Sequence, residues 1–261
     1  MIDVQNSPAF RKIRIKKVGV QKLSYPIVFS DSDKDKSEIN SIGNFALYSS
    51  LNPDQKGTHM SRFIHTIYEY MPKISLETLG KISKDITKKL NSDFAQVICD
   101  FEYFYNVLSP ITKSPGLSNA YVSLNSEYKK SSESSKFEYT IKVPVKSLCP
   151  CSKSISKYGA HSQRSYISIR LIEPKISIRK CIDLAESSAS SALYPILKRE
   201  DERYVTEKAY ENPRFVEDLV REVASKLIEL KNSYESFEVS AVNFESIHHH
   251  DVYATISSED I

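Results

Sequence analysis

The order of strand-like and helix-like stretches occurs twice along this chain, and this repeat strongly limits the folds that it can adopt. Alternating or continuous apolar residues predict four strands in the first half: residues 10–29, Phe45–Leu51, Phe94–Tyr105 and Ala120–Tyr128. Apolar residues at helical spacing predict two helices between the second and third of these strands: Met60–Met71 and Leu76–Leu90. The Ser, Asp and Lys residues of Ser30–Asn40 predict a solvated loop.

The second half follows the same order after a polar turn at Lys129–Lys136. Its predicted strands are Phe137–Val145, Ser165–Ile172, Ser236–Phe244 and Val252–Ile256. Its predicted helices are residues 179–194 and 213–231, the second with Asn212 as N-cap and Pro213 at the first helical position. Pairs of strands flanking grouped helices favour an α+β fold with antiparallel sheets over a doubly wound parallel sheet. We therefore expect two modules, residues 1–130 and 131–261, each with the order ββααββ.

Composition excludes several classes of protein. The chain has 261 residues, of which 40% are hydrophobic and 26% charged, and it has no apolar run near the roughly 20 residues that span a bilayer. The 36 basic and 33 acidic residues are too balanced to indicate nucleic-acid binding. The N-terminus does not resemble a secretory signal, so we expect a cytoplasmic protein without a nucleic-acid or membrane partner.

The densest group of chemically reactive residues lies between two predicted strands. Cys149-Pro-Cys151 is followed by His161 ten residues after the second cysteine, and these side chains offer ligands to a divalent ion such as zinc. Two other interpretations stay open for Cys149. It could be a nucleophile activated near Lys153, or both cysteines could be ordinary buried thiols.

A second group follows the strand that ends at Phe244. Glu245 and His248 stand where they could act as a general acid and base, because histidine titrates near neutral pH and a carboxylate can orient it. His249 and His250 are expected to be surface residues.

Two further segments carry charge. The stretch from Leu197 to Asp218 is typical of a charged linker between helices. Gly57 leads into a predicted helix with Arg62 in its first turn, where helix N-termini can bind anions.

Four strings in this order resemble the type IB GTP cyclohydrolases, a family of the tunnelling fold. They are Ser147-Leu-Cys-Pro-Cys-Ser-Lys, Tyr158-Gly-Ala-His-Ser-Gln-Arg-Ser, Val205-Thr-Glu-Lys-Ala-Tyr-Glu-Asn-Pro-Arg-Phe-Val-Glu-Asp and Glu245-Ser-Ile-His. The resemblance covers residues 10–257 and implies tandem tunnelling-fold modules with helices packed on one face of the sheets. It also implies a homotetramer with active sites at subunit interfaces.

Residue by residue, the resemblance implies a metal held by Cys149, His161 and Glu202. It implies that Glu217 anchors the guanine base and that Glu245 and His248 transfer protons, with Cys149 also serving the catalytic centre. Candidates for binding the triphosphate are Lys153, Arg164 and Arg62. The departures from the family pattern are Ser162, where asparagine is usual, and Glu200, where proline is usual; Glu200 adds a second carboxylate close to Glu202.

The implied reaction is the metal-dependent opening of the guanine imidazole ring of GTP with release of formate. The product is 7,8-dihydroneopterin triphosphate for folate biosynthesis, or its 2',3'-cyclic phosphate for methanopterin biosynthesis. One Zn, Fe(II) or Mn(II) ion per active site is expected. Two alternatives stay open: a nitrile reductase of the same fold with Cys149 as nucleophile, and a purine- or pterin-binding module with a structural zinc.

Overall fold

The computed structural model describes Gln5, residues 7–30 and residues 38–261, and these divide into two compact units. The first unit comprises the described residues up to Phe101 together with Ser123–Tyr139. The second comprises Glu102–Val122 and Thr140–Ile261.

The first unit is built on antiparallel strands with two helices. Its elements are β1 (Ile15–Ser30), β2 (Glu38–Leu51), α1 (Met60–Tyr68), β3 (Lys73–Ile74) and α2 (Leu76–Leu90). The long strands β4 (Phe94–Leu108), β5 (Pro115–Lys129) and β6 (Ser134–Leu148) contribute residues to both units. β2 pairs antiparallel with β1 and with β4, and the short β3 pairs parallel with β1.

Helix α2 illustrates why the sequence folds locally as it does. The side chain of Ser75 accepts a hydrogen bond from the backbone N–H of Thr78 and thereby caps the first turn. Asn91 ends the helix in the left-handed conformation, with φ of 49°. The stripe between these caps is buried and includes Leu79, Ile82 and Ile86.

The second unit contains most of the remaining elements. They are α3 (Pro150–Ile155), β7 (Ser162–Ile172), α4 (Ile178–Ser188), β8 (Ser191–Ala192), α5 (Arg199–Glu211), α6 (Val216–Glu229), β9 (Ser236–Asn243) and β10 (Val252–Ser257). β9 pairs antiparallel with β7 on one side and with β10 on the other, while β8 pairs with β6. α6 packs on β9, β10 and α4. In both units antiparallel strands carry the helices, so the α+β class predicted from the sequence is confirmed.

The strands differ most from prediction in length. β2 begins at Glu38 and β5 at Pro115, so both are longer than the sequence pattern indicated. Residues 31–37 of the predicted Ser30–Asn40 loop lie outside the described residues. The helix predicted to reach residue 194 ends at Ser188.

The prediction of a charged linker is wrong for this segment, because Arg199–Glu211 forms α5. Val205 and Ala209 are buried on one face of this helix together with Asp201, while most of the other charged residues are exposed. Asn212 is therefore the C-cap of α5 and not the predicted N-cap of the next helix. α6 begins at Val216, and its cap is formed by Asp218, whose carboxylate accepts from the backbone N–H of Phe215.

Within the part of the chain that the structure describes, no helix is both long and apolar enough to cross a membrane.

Candidate functional site

Cys149 and His161 are held together by the backbone around a short helix that the sequence analysis did not predict. Cys149 is the N-cap of α3, and its Sγ accepts from the N–H of Ser152 at 3.4 Å. The Cys149 N–H donates to the carbonyl of His161 at 3.1 Å, and the His161 N–H donates to Ser152 Oγ at 3.1 Å. Proline at the first helical position favours this helix start.

Both residues line a cavity of about 250 Å³ in the second unit. Five of the residues predicted for the site share this cavity: Cys149, His161, Glu217, Glu245 and His248. They come from the N-cap of α3, the residue before β7, the first turn of α6 and the turn after β9. Residues separated by almost 100 positions are thus brought to one place.

A buried hydrogen-bond network lies behind the cavity and centres on Gln163, which is 7% exposed. Its Nε2 donates to Ser147 Oγ at 2.9 Å and to Glu245 Oε1 at 3.2 Å. Ser165 Oγ is 2.9 Å from Ser147 Oγ and donates to Asn243 Oδ1 at 2.7 Å. Because each of these groups has a partner, the network fixes the side chains that face the cavity.

The network also determines which nitrogen of His161 carries the proton. The Glu245 carboxylate can only accept, so the NH₂ group of Gln163 must face it. Gln163 Oε1 then faces His161 Nδ1 at 3.0 Å and accepts its proton in a hydrogen bond. Glu245 Oε2 lies 3.7 Å from the same nitrogen. With the proton on Nδ1, the lone pair of His161 Nε2 is available as a ligand.

His248 and Glu217 are more exposed than the network behind them. The His248 N–H donates to the carbonyl of Glu245 at 3.2 Å, so the two residues share one turn. His248 also stacks on His250, with ring centroids 5.0 Å apart. His250 is exposed, as predicted, and its ring also lines the cavity. His249 is exposed, as predicted.

The acidic cluster at the start of α5 divides into one buried and two exposed carboxylates. Asp201 is fully buried and accepts from the N–H groups of Ile111 and Thr112, the Thr112 hydroxyl and the Lys198 N–H. Burial alone would raise the pKa of Asp201, but these hydrogen bonds hold it well below its usual range. Glu202, the predicted third ligand, and Glu200 are exposed and are not among the residues lining the cavity.

The three predicted triphosphate ligands do not line this cavity. Lys153 donates to the carbonyl of Tyr210 and lies over its ring, 4.5 Å from the centroid. Arg164 is exposed, because strand alternation in β7 directs it away from its buried neighbours. Arg62 belongs to the first unit, where it donates to the carbonyl of Lys89 at 2.8 Å.

The donors in the cavity fit two positions of a divalent metal site. A cysteine Sγ and an imidazole Nε2 are borderline ligands of the kind that zinc, iron and manganese accept. Among the described residues, however, no group of three His, Cys, Asp or Glu side chains is close enough to form a complete site. The described residues therefore place no third protein ligand beside Cys149 and His161.

Sequence reasoning missed several residues that line the cavity, notably Gln163, Arg214 and Asn243. A signal for Gln163 was present, since it stands two residues after His161 at the start of a strand and so shares its face. Arg214 lies at the cavity through tertiary contacts: its N–H donates to the Leu148 carbonyl, and its guanidinium lies 3.5 Å from Glu222.

Comparison with known proteins extends over the same residues. The model of the family described as "Type I GTP cyclohydrolase folE2" matches residues 1–254. A GTP cyclohydrolase FolE2 of Geobacter sp. (strain M21) is 44% identical over 97% of this chain and 93% of its own length. The GTP cyclohydrolase FolE2 of Ruthia magnifica is also 44% identical, over 98% of this chain and 97% of its own length.

Solved structures share the fold at much lower identity. Urate oxidase from Bacillus sp. TB-90 covers 93% of this chain with a TM-score of 0.52 and 9% identity. Uricase from Arthrobacter globiformis covers 94% with a TM-score of 0.50 and 11% identity. These likenesses concern the fold alone. The match to the family model over nearly the whole sequence shows that the chain belongs to the type I GTP cyclohydrolases of the FolE2 family.

Proposed function

We propose that the cavity of the second unit is the centre in which this GTP cyclohydrolase opens the imidazole ring of GTP and releases C8 as formate. The observation that carries the proposal is that Cys149, His161, Glu217, Glu245 and His248 line one cavity. A thiolate, an imidazole and a carboxylate–imidazole pair are the groups that metal-assisted hydrolysis needs.

Cys149 and His161 would hold the metal. The Gln163 contact leaves His161 Nε2 free to coordinate, and the Ser152 N–H donates to Cys149 Sγ and so holds the thiol in place. A bound divalent ion would act there as a Lewis acid that activates water for attack at C8. The donor set accepts Zn, Fe(II) or Mn(II), one per site.

The third ligand is proposed to be Glu202. Asp201 already accepts four hydrogen bonds, three from the turn at Ile111–Thr112 and one from the N–H of Lys198, which leaves the exposed carboxylates of Glu202 and Glu200. Both are at the start of a helix and point to solvent. Neither lines the cavity, so a change in the position of the ligating carboxylate on metal binding is part of the proposal.

Glu217 would accept hydrogen bonds from the guanine N–H groups, since its carboxylate is exposed to the cavity from the first turn of α6. Arg214 also lines the cavity and adds a cation beside the substrate. Lys153, Arg164 and Arg62 stay proposed as triphosphate ligands.

His248 would protonate the imidazole nitrogen as C8 becomes tetrahedral, and later return protons during ring closure. Glu245 is 12% exposed at its side chain and is held by Gln163 and by Asn243 Nδ2 at 3.4 Å. The backbone carbonyl of Glu245 accepts from the His248 N–H, so one turn connects the two members of the proposed proton-transfer pair. The product is then 7,8-dihydroneopterin triphosphate, or its 2',3'-cyclic phosphate.

The finer architecture is also proposed. Two tunnelling-fold modules, residues 1–130 and 131–261, would assemble as a homotetramer with active sites at subunit interfaces. The exposure of Glu217 and His248 at the cavity supports a site that is completed by a neighbouring subunit. A cytoplasmic location is supported by the four free cysteines, which a reducing compartment maintains.

The test is anaerobic incubation of the purified protein with GTP, before and after chelation and with each metal added back. We expect formate and a fluorescent pterin only with metal, and the mass of the product identifies the triphosphate or its cyclic form. Metal-independent release of formate at the full rate would contradict the proposal.

A further inference from the structure

The first unit contains a cavity of about 830 Å³ that shares no lining residue with the proposed reaction centre. We call it the basic cleft. Its lining residues are Arg14, Lys16, Lys17, Ser50, Asp93, Phe94, Glu127, Lys129, Lys130 and Ser131. Five basic and two acidic side chains thus line one concave surface. These seven residues come from three separate parts of the chain.

A β-bulge explains how two consecutive lysines reach the same cleft. In a regular strand Lys16 and Lys17 would point to opposite faces. The register between β1 and β2 shifts here, because Ile15 pairs with Leu51 but Val18 pairs with Ser49. β1 therefore has one extra residue, and such a bulge redirects side chains, as bulges commonly do beside functional sites.

Lys17 is held in position by neutral groups. The buried amide of Gln96 donates through Nε2 to Asn125 Oδ1 at 3.0 Å, and its Oε1 accepts from Lys17 Nζ. The ammonium also lies 5.8 Å from the ring centroid of Phe94. This side chain is pre-organised at the wall of the cleft, which lowers the entropic cost of binding a ligand.

The charges of the cleft are only partly neutralised by the protein. Arg14 Nη2 lies 3.3 Å from Asp93 Oδ2, and Lys17 Nζ lies 3.9 Å from Glu127 Oε1. No salt bridge within residues 7–30 and 38–261 involves Lys16, Lys129 or Lys130. A concave surface lined by one sign of charge concentrates its potential and attracts ions of the opposite sign.

We propose that the basic cleft binds a linear polyphosphate chain. Its volume is within the range of roughly 300 to 1,000 Å³ typical of small-molecule sites, so a compact ligand fits it better than a macromolecule. Lysine ammonium groups bind phosphate oxygens as point charges, and several of them spread around a wall match several linked phosphates. The ligand is either the triphosphate of the substrate GTP, which would then be held here and not by Lys153, Arg164 and Arg62, or a separate phosphate-bearing solute.

The test uses inorganic tripolyphosphate as the probe and isothermal titration calorimetry at low ionic strength. The variant Lys16→Gln/Lys129→Gln/Lys130→Gln removes the three unpaired charges and leaves both ion pairs in place. The control Lys175→Gln/Lys180→Gln/Lys231→Gln removes the same charge from exposed positions outside the cleft. We expect roughly tenfold weaker binding for the cleft variant and less than about twofold for the control.

Kinetics with GTP distinguish the two sources of the phosphate. If the cleft holds the substrate's triphosphate, the cleft variant raises KM for GTP, leaves kcat unchanged, and tripolyphosphate competes with GTP in the wild type. If the ligand is a separate solute, KM is unchanged and tripolyphosphate does not compete. Either pattern, together with the loss of tripolyphosphate binding, supports the proposal.

Two results would overturn it. One is the absence of tripolyphosphate binding to the wild type at millimolar concentration. The other is an equal loss of affinity in the cleft and control variants, which would assign the binding to net charge. Circular dichroism of both triple variants verifies that they are folded. Failure of formate release in the wild type would instead bear on the proposed function and not on the cleft.

Discussion

The basic cleft of the first unit and the smaller cavity of the second unit contain polar groups in opposite states. Around the smaller cavity of the second unit, the polar atoms behind the surface satisfy one another through Gln163, Ser147 and Glu245. In the basic cleft of the first unit, three lysines have no acidic partner among the described residues. The side chains of the smaller cavity are therefore held in fixed directions by hydrogen bonds, whereas those of the basic cleft are arranged to attract an ion of opposite charge. The first should therefore be sensitive to single substitutions and the second to ionic strength.

The largest expected effect concerns proton transfer in the smaller cavity. His248→Ala should lower kcat for formate release by about 10²- to 10⁴-fold, because the variant lacks the group that protonates the imidazole nitrogen. His249→Ala is the matched control, since this exposed neighbour is not among the residues lining the cavity. Equal rates for the two variants would remove His248 from the mechanism.

The next effect tests whether the buried network tunes the metal ligand. Gln163→Leu removes the acceptor from His161 Nδ1, and both metal affinity and turnover should fall by about 10- to 100-fold. Arg164→Leu, which changes the opposite face of the same strand, should leave metal affinity unchanged. Titration of each apo-protein with Zn(II) measures the difference, and an unchanged affinity in Gln163→Leu would show that the network is only structural.

A smaller effect is expected outside both cavities, at the buried acid of α5. Asp201→Asn removes a charge that several N–H groups and a hydroxyl stabilise, so the thermal unfolding temperature should fall near pH 7. The folded-state pKa of Asp201 is lowered, so its stabilising effect is present above the unfolded pKa of about 4 and is lost as pH falls through the folded value. The difference between wild type and variant should therefore shrink below pH 4. Glu200→Gln, at an exposed neighbour, should have little effect at any pH.

The smallest effect distinguishes the two cavities by salt. Raising the ionic strength from about 0.05 M to about 0.5 M shortens the Debye length from roughly 14 Å to 4 Å. Tripolyphosphate affinity should fall several-fold, while kcat for formate release should change by less than about twofold. Calorimetry and the formate assay at matched salt concentrations check this, and a kcat that falls in parallel with the affinity would erase the distinction.

The sequence predicted the fold class and the main strands because apolar periodicity records which faces are buried. It failed at α5, where charged residues dominate and only Val205 and Ala209 record the buried side. It also missed the cap of α6, because phenylalanine is an unusual N-cap residue and the cap is completed by Asp218, three positions later, which accepts from the Phe215 N–H.

For the site, the motifs predicted that Cys149, His161, Glu217, Glu245 and His248 belong together, and the structure places all five at one cavity. Motifs could not reveal the directions of side chains. The engagement of Lys153 by Tyr210 and the exposure of Glu202 depend on how α5 packs, which no local pattern records. The basic cleft could not be predicted from the sequence either, because the bulge that brings Lys16 and Lys17 to the same side depends on how β1 pairs with β2.

The most direct test of the account compares the two cysteines of the Cys-Pro-Cys string. Cys149 lines the cavity, whereas Cys151 is exposed on α3 and is not among its lining residues. Metal content and formate release should be measured together on Cys149→Ala and Cys151→Ala. We expect Cys149→Ala to lose its metal and its formate release, and Cys151→Ala to keep them. Full metal content and turnover in Cys149→Ala would contradict the assignment of the metal site.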